Sequence, residues 1–182
     1  MNGILKTSAI LALLATPAFS VGSDDNDKPA KTETTTECEE GQVWDEDKEE
    51  CVSAENIEES NLSDDQLYKI VRELAYDGQF LTSLRVLDAF ADQNDPRVWN
   101  YKGFNTRNLG DTDAAFAYYE KAIALDPGYS LARSYYGQGL LKSGNKAGAY
   151  QQLAMIAENG DRDSWAFKSL QIALDKGRVA NY

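Results

Sequence analysis

From about residue 64 onward, apolar side chains recur at spacings of three and four, and glycine or proline interrupts them at near-regular intervals. Residues 96–129 show this most clearly. Two helical patterns are joined by Leu109-Gly110-Asp111 and closed by Asp126-Pro127-Gly128. In the first, Val98, Tyr101 and Asn105 share one side, with Trp99, Gly103 and Thr106 beside them. In the second, Ala115, Tyr118, Tyr119, Ala122, Ile123 and Leu125 form an amphipathic stripe. Gly103 carries no side chain, so a second helix can approach its backbone closely. Asp95 is placed to cap the first helix, with Pro96 at its first position, and Asp111 to cap the second. Such a hairpin cannot bury its apolar face alone and needs neighbours.

Copies are expected on both sides. Aligning Gly78 with Gly110 puts Leu67, Ile70 and Leu74 on a first helix over the start of 64–95, opened by a capping box from Ser63 to Gln66. Ser83, Leu87 and Phe90 then become the packing residues of a second helix. Residues 130–161 repeat the pattern with Tyr136, Gly137, Leu140, Gly144, Ala149, Leu153 and Ile156, and end on Asn159-Gly160-Asp161 instead of a proline. Gly139 and Gly148 lie inside its helices, each at a cost of about 1 kcal/mol against alanine. Residues 162–175 read as one more amphipathic helix, carried by Trp165, Leu170, Ile172 and Ala173, and 177–182 as a tail.

The positions Trp99, Gly103, Gly110, Ala115, Tyr119, Ala122 and Pro127 fall at spacings that resemble the tetratricopeptide repeat (TPR), in its exported bacterial form. The resemblance covers about 64–175 and implies an all-α, right-handed superhelix of about three helical hairpins plus a capping helix, together spanning 62–176.

Charge separates this part from the rest. The chain has 182 residues and a formal net charge of −12. Residues 21–65 hold 17 acidic and 3 basic side chains, whereas 66–182 are almost balanced. Residues 1–20 read as a secretory signal peptide: Lys6, an apolar run from Ala9 to Phe19, and a small-x-small site at Ala18-Phe19-Ser20. The run falls short of the roughly 20 residues a membrane span needs. The expected product is a periplasmic or secreted protein cut near Ser20 and without a stable membrane anchor. Residues 21–61 are expected to be a disordered acidic segment. Within it, an oxidising compartment favours a disulfide between Cys38 and Cys51, stabilising by about 3 kcal/mol in a chain-entropy description. Their spacing fits neither a close zinc pair nor Cys-x-x-Cys, and neither Asp24 nor Asp45 opens a calcium-loop pattern. Trp44 is expected to pack over the disulfide or to touch a partner.

No catalytic pattern emerges. Histidine is absent, no Gly-x-Ser-x-Gly or phosphate loop occurs, and no cofactor or metal is expected. The near-neutral repeat region gives no electrostatic footprint for nucleic acid. The protein is expected not to be an enzyme.

The resemblance implies a concave groove lined by the first helix of each repeat. Carried onto this sequence, it offers Tyr68, Arg72 and Tyr76; Arg97, Asn100, Phe104, Arg107 and Asn108; and Ser134, Gln138, Leu141 and Lys142. Aromatic, arginine and amide side chains suit a peptide, and arginine favours carboxylates. The expected partner is another envelope protein or peptide, acidic ones being best suited. The family's carboxylate-clamp pattern is not met, since Tyr68, Arg72 and Leu131 depart from it. The opposite charge of arm and groove also predicts an intramolecular contact between them. The alternative is an accessory subunit of a larger envelope complex that uses its convex face.

Overall fold

The computed structural model describes residues 28–179; the expected signal peptide, residues 21–27 and the last three residues lie outside the described part. A short helix α1 (Glu33–Thr36) leads to a hairpin of β1 (Gln42–Asp45) and β2 (Glu50–Ser53), then a 3-10 helix (Ala54–Glu59). Seven helices come after it: α2 (Asp64–Asp77), α3 (Phe80–Asp88), α4 (Pro96–Asn108), α5 (Thr112–Leu125), α6 (Ser130–Lys142), α7 (Lys146–Glu158) and α8 (Trp165–Lys176). They pair as α2–α3, α4–α5 and α6–α7, with α8 packed on both α6 and α7. This is the all-α array of three hairpins and a capping helix that the periodicity predicts.

The boundaries follow local chemistry. The Ser63 hydroxyl accepts from the Gln66 amide, and the Gln66 side chain accepts from the Ser63 amide, closing the capping box. Asp95 accepts from the Arg97 amide at 2.8 Å ahead of Pro96, and Asp111 accepts from the Ala114 amide at 3.1 Å. Gly78 ends α2 at φ 89°, a left-handed conformation that residues with a Cβ rarely adopt.

The first helices of successive hairpins meet directly: α2 touches α4, α4 touches α6, and α6 touches α8. The second helices α3, α5 and α7 make no comparable contact with one another. The array therefore has an inner face formed by α2, α4, α6 and α8. Its core is one continuous cluster that includes Leu67, Val71, Leu74, Val86, Leu87, Val98, Tyr101, Phe104, Ala115, Tyr119 and Tyr135. A second cluster joins Leu140, Ala149, Ile156, Leu170 and Leu174 around α6, α7 and α8. Helix interiors made of small residues explain the tight crossings. A Cβ on Gly137 would lie 2.6 Å from Leu170, and one on Gly139 would lie 2.8 Å from the Phe116 ring. The intrinsic penalty of Gly139 inside α6 is thus matched to a close interhelical approach.

One expectation is corrected. Phe90 does not belong to the second helix of the first repeat: α3 stops at Asp88. Phe90 still fills the core from the connection beyond it. The Gln93 amide group closes that turn by donating to the carbonyls of Leu87 and Phe90. Within the segment expected to be disordered, the described residues 28–61 carry the short elements α1, β1, β2 and the 3-10 helix, with Thr34, Val43, Asp45, Ala54 and Ile57 buried. Composition alone hides this, because the apolar residues it buries are few: Val43, Ala54 and Ile57. The Cys38–Cys51 disulfide is formed and closes the segment on itself. Most of its acidic side chains face water, where solvent screens their mutual repulsion.

Candidate partner-binding face

The residues expected to line the groove all sit on α2, α4 and α6. The structure divides them by access. Tyr68, Arg72, Asn100, Phe104, Arg107, Ser134 and Gln138 are buried; Tyr76, Arg97 and Leu141 are half-buried; Asn108 and Lys142 are exposed. The inner face is consequently narrower than the sequence pattern suggests. Large aromatic residues on adjacent, touching helices fill the space between them.

The filling is specific. Tyr76 stacks on Phe104 with centroids 5.8 Å apart, and Phe104 lies 4.9 Å from Tyr135. The hydroxyls of Tyr76 and Tyr135 are 2.7 Å apart, which links the first repeat to the third. Tyr68 meets Tyr101 edge-on at 5.7 Å, and its hydroxyl is 3.4 Å from that of Tyr129. Tyr135 in turn meets Trp165 of α8 edge-on at 6.1 Å. A row of aromatic rings thus runs along the inner face from α2 to α8.

Polar groups are woven through this row. The Arg107 guanidinium donates to the Tyr135 carbonyl at 2.8 Å and lies 5.6 Å from the Phe104 centroid. Gln138 donates to Ser134 at 3.3 Å and to Ser169 at 3.1 Å, tying α6 to α8. Arg97 sits 4.7 Å over the Tyr68 ring and donates to Asp95 and Asp65. Hydrogen bonds and the charges of those two carboxylates hold its guanidinium more firmly protonated than usual, outweighing its partial burial. Asn108 donates to the Phe104 carbonyl at 2.9 Å, and Lys142 extends into solvent at the end of α6.

Topology adds one relationship. Tyr76, Asn108 and Lys142 fall in the last turns of α2, α4 and α6, which occupy equivalent places in successive hairpins. The accessible candidates therefore collect along one edge of the inner face. Arg97 lies at the other end of α4, already bound by two carboxylates.

The arm supplies residues that sequence reasoning did not single out. The buried Glu73 carboxylate of α2 accepts from the Thr32 amide and the Thr32 hydroxyl at 2.7 Å each, and from the Thr35 hydroxyl. Lys31 pairs with Asp77 at 2.9 Å, and Arg85 with Glu55 at 3.4 Å. Little signal for this lies in the sequence, because Glu73 shares its helical face with Lys69 and Asp77, as a solvated glutamate would. Among the described residues there is no group of three or more potential metal ligands, and no helix is long and apolar enough to cross a membrane.

No curated protein and no solved structure matches the chain. The tetratricopeptide repeat family matches residues 109–171, from the turn after α4 into α8. That span takes in α5, the third hairpin and the first part of the helix read as a cap, and it supports a tetratricopeptide-repeat protein.

Proposed function

We propose that this chain is an exported, non-catalytic interaction scaffold, periplasmic or secreted, that binds a segment of an envelope protein along the inner face of its helical array. The observation that carries this reading is the edge formed by Tyr76, Asn108 and Lys142, an aromatic, an amide and a cation at equivalent places on consecutive helices. Such a row suits an extended peptide with acidic side chains, since each helix offers one contact per repeat. The buried aromatic row behind it gives the edge a rigid base, so little side-chain ordering is needed on binding. The arm's described polar contacts run to Glu73, Asp77 and Arg85, so the reading does not require the arm to occupy the groove.

A specific observation supports a second reading. Leu81, Leu125, Tyr150 and Met155 are exposed on α3, α5 and α7, the helices opposite the inner face. An accessory subunit held in a larger complex by its convex side would use them.

Cross-linking in cells, with the full chain as bait, separates the two. The inner-edge variant carries Asn108→Asp and Lys142→Glu; the convex variant carries Leu125→Glu and Tyr150→Glu. Loss of a cross-linked partner only with the first variant supports the groove, and loss only with the second supports the convex face. Export is tested separately by fractionation and by mass spectrometry of the mature N-terminus.

A further inference from the structure

The folded arm is held together by pieces that are individually too small to stand. Helix α1 has four residues, far below the length at which an isolated helix persists. The two strands have four residues each, and a lone two-stranded hairpin is marginal in water. The register pairs Val43 with Val52 and Trp44 with Cys51, and the Ala54 amide donates to the Gly41 carbonyl at 2.9 Å.

The disulfide sits where these pieces would otherwise part. Only Glu37 separates Cys38 from the end of α1, and Cys51 lies within β2. The bond therefore fixes the end of α1 against the hairpin. In that position the Thr34 hydroxyl accepts from the Trp44 amide at 3.1 Å. The same placement brings Thr32 and Thr35 onto Glu73. The buried Glu73 carboxylate depends on those donors, because a charge removed from water needs hydrogen bonds in compensation. Both cysteines are only partly buried, so a small thiol can reach them.

We propose that the Cys38–Cys51 disulfide is a redox latch that keeps residues 28–59 docked as the N-terminal cap of the helical array. A dithiol reductant opens it. One thiolate of the reductant attacks a sulfur of the bridge, the S–S bond breaks, and a mixed disulfide forms. The second thiol of the reductant then displaces the protein sulfur. Two electrons and two protons pass to the protein as the Cys38 and Cys51 thiols, and the reductant leaves as its own disulfide. With the bond open, α1 loses its tether and lifts from Glu73. The hairpin frays, and the outer face of α2 and α3 becomes accessible. In a stacked array that face is the one a preceding hairpin would cover. This inference goes beyond the binding proposal and does not depend on it.

Hydrogen exchange read by mass spectrometry on the full chain tests the latch. It is run oxidised, after reduction with dithiothreitol, and for the Cys38→Ser/Cys51→Ser variant. Thiol alkylation confirms the redox state in each sample. Reduction is expected to speed exchange over residues 32–53 by about tenfold or more, with local opening confined there and α4 to α7 unchanged. The double variant should match the reduced protein without reductant. Glu73→Gln, with the disulfide intact, should loosen residues 32–36 and leave β1 and β2 protected. Equal protection of the arm in fully reduced protein overturns the proposal. So does equal acceleration throughout α4 to α7, which would make the bond a global staple. If the double variant does not fold, the reduced wild type alone decides between these outcomes.

Discussion

The ring of Tyr119 on α5 occupies the space where Gly103 on α4 would carry a side chain: a Cβ there would lie 2.7 Å from the ring. The two helices of the central hairpin approach each other through that gap, and Tyr119 is completely buried by it. Gly103→Ala gains helix propensity of about 1 kcal/mol but forces the ring or the helix to move. The clash is with the body of a buried ring, so overpacking wins. The variant is expected to lose about 1–3 kcal/mol in urea denaturation. A stability equal to or above wild type would show that the ring can shift without cost.

A buried polar chain joins the first two hairpins. Asn105 donates to the Ser83 hydroxyl at 2.8 Å, and Ser83 donates to the Val71 carbonyl at 3.0 Å. Ser83→Ala leaves the Asn105 amide without that acceptor and should cost about 1–3 kcal/mol. Adding Asn105→Leu removes the orphaned donor, and the pair should be less destabilised than the single costs sum to. Strict additivity in a double-mutant cycle would deny the coupling.

Much of this architecture was legible in the sequence. Spacing gave the helices, and Ser63, Asp95, Asp111 and Gly78 marked their ends because each acts through its own backbone neighbourhood. Access along the inner face was not legible. Whether Arg107 or Gln138 reaches solvent depends on Tyr135 and Ser169, which lie 28 and 31 residues further along the chain. The docking of the arm was equally hidden: its disulfide was legible, but it also rests on Glu73, 41 residues from Thr32. Periodicity reports local faces and is blind to such pairings.

The hairpin turn is expected to weaken in acid. Burial alone would raise the Asp45 carboxyl, but hydrogen bonds from Lys48, its charge, and the Asp47 amide outweigh that and hold it below the ordinary 3.8. A depressed folded value means the carboxylate's contribution is complete above pH 3.8 and is lost as pH falls through the folded value. Exchange at the Asp47 and Lys48 amides should therefore quicken below that pH. Asp45→Asn should show fast exchange already at neutral pH, and an identical pH profile in the variant would refute the assignment.

Alkali should loosen the contact between α5 and α6. Burial, then the hydrogen bond to Glu120 at 2.7 Å, raises the Tyr136 hydroxyl from 10.0 to about 12. The folded protein favours the neutral phenol, so this contribution is present below pH 10.0 and declines as pH rises towards 12. Absorbance titration of Tyr136→Phe should show one fewer tyrosine in the late-ionising part of the curve than wild type. An unchanged late amplitude in Tyr136→Phe would refute the assignment.

Arg107 and Lys142 were both expected to face a partner, and the structure gives them different duties. Arg107 is buried, donates to the Tyr135 carbonyl and packs its stem on Gly139. Arg107→Ala removes a charged donor to a buried carbonyl and opens a gap between α4 and α6, so it should cost about 2–4 kcal/mol of stability. Lys142 is exposed in the last turn of α6, where a cation interacts favourably with the helix terminus. Lys142→Glu should change stability by no more than about 1 kcal/mol, since only that interaction is reversed. Thermal melts of the two variants, set beside capture of acidic peptides on immobilised full chain, tell the duties apart. Arg107→Ala should lower the melting temperature and weaken every peptide in proportion to the unfolded fraction. Lys142→Glu should melt within a few degrees of wild type and discriminate against acidic peptides in particular, with the difference shrinking as salt is raised. If Lys142→Glu binds acidic peptides as wild type does at low salt, the edge of Tyr76, Asn108 and Lys142 is not where acidic partners are read.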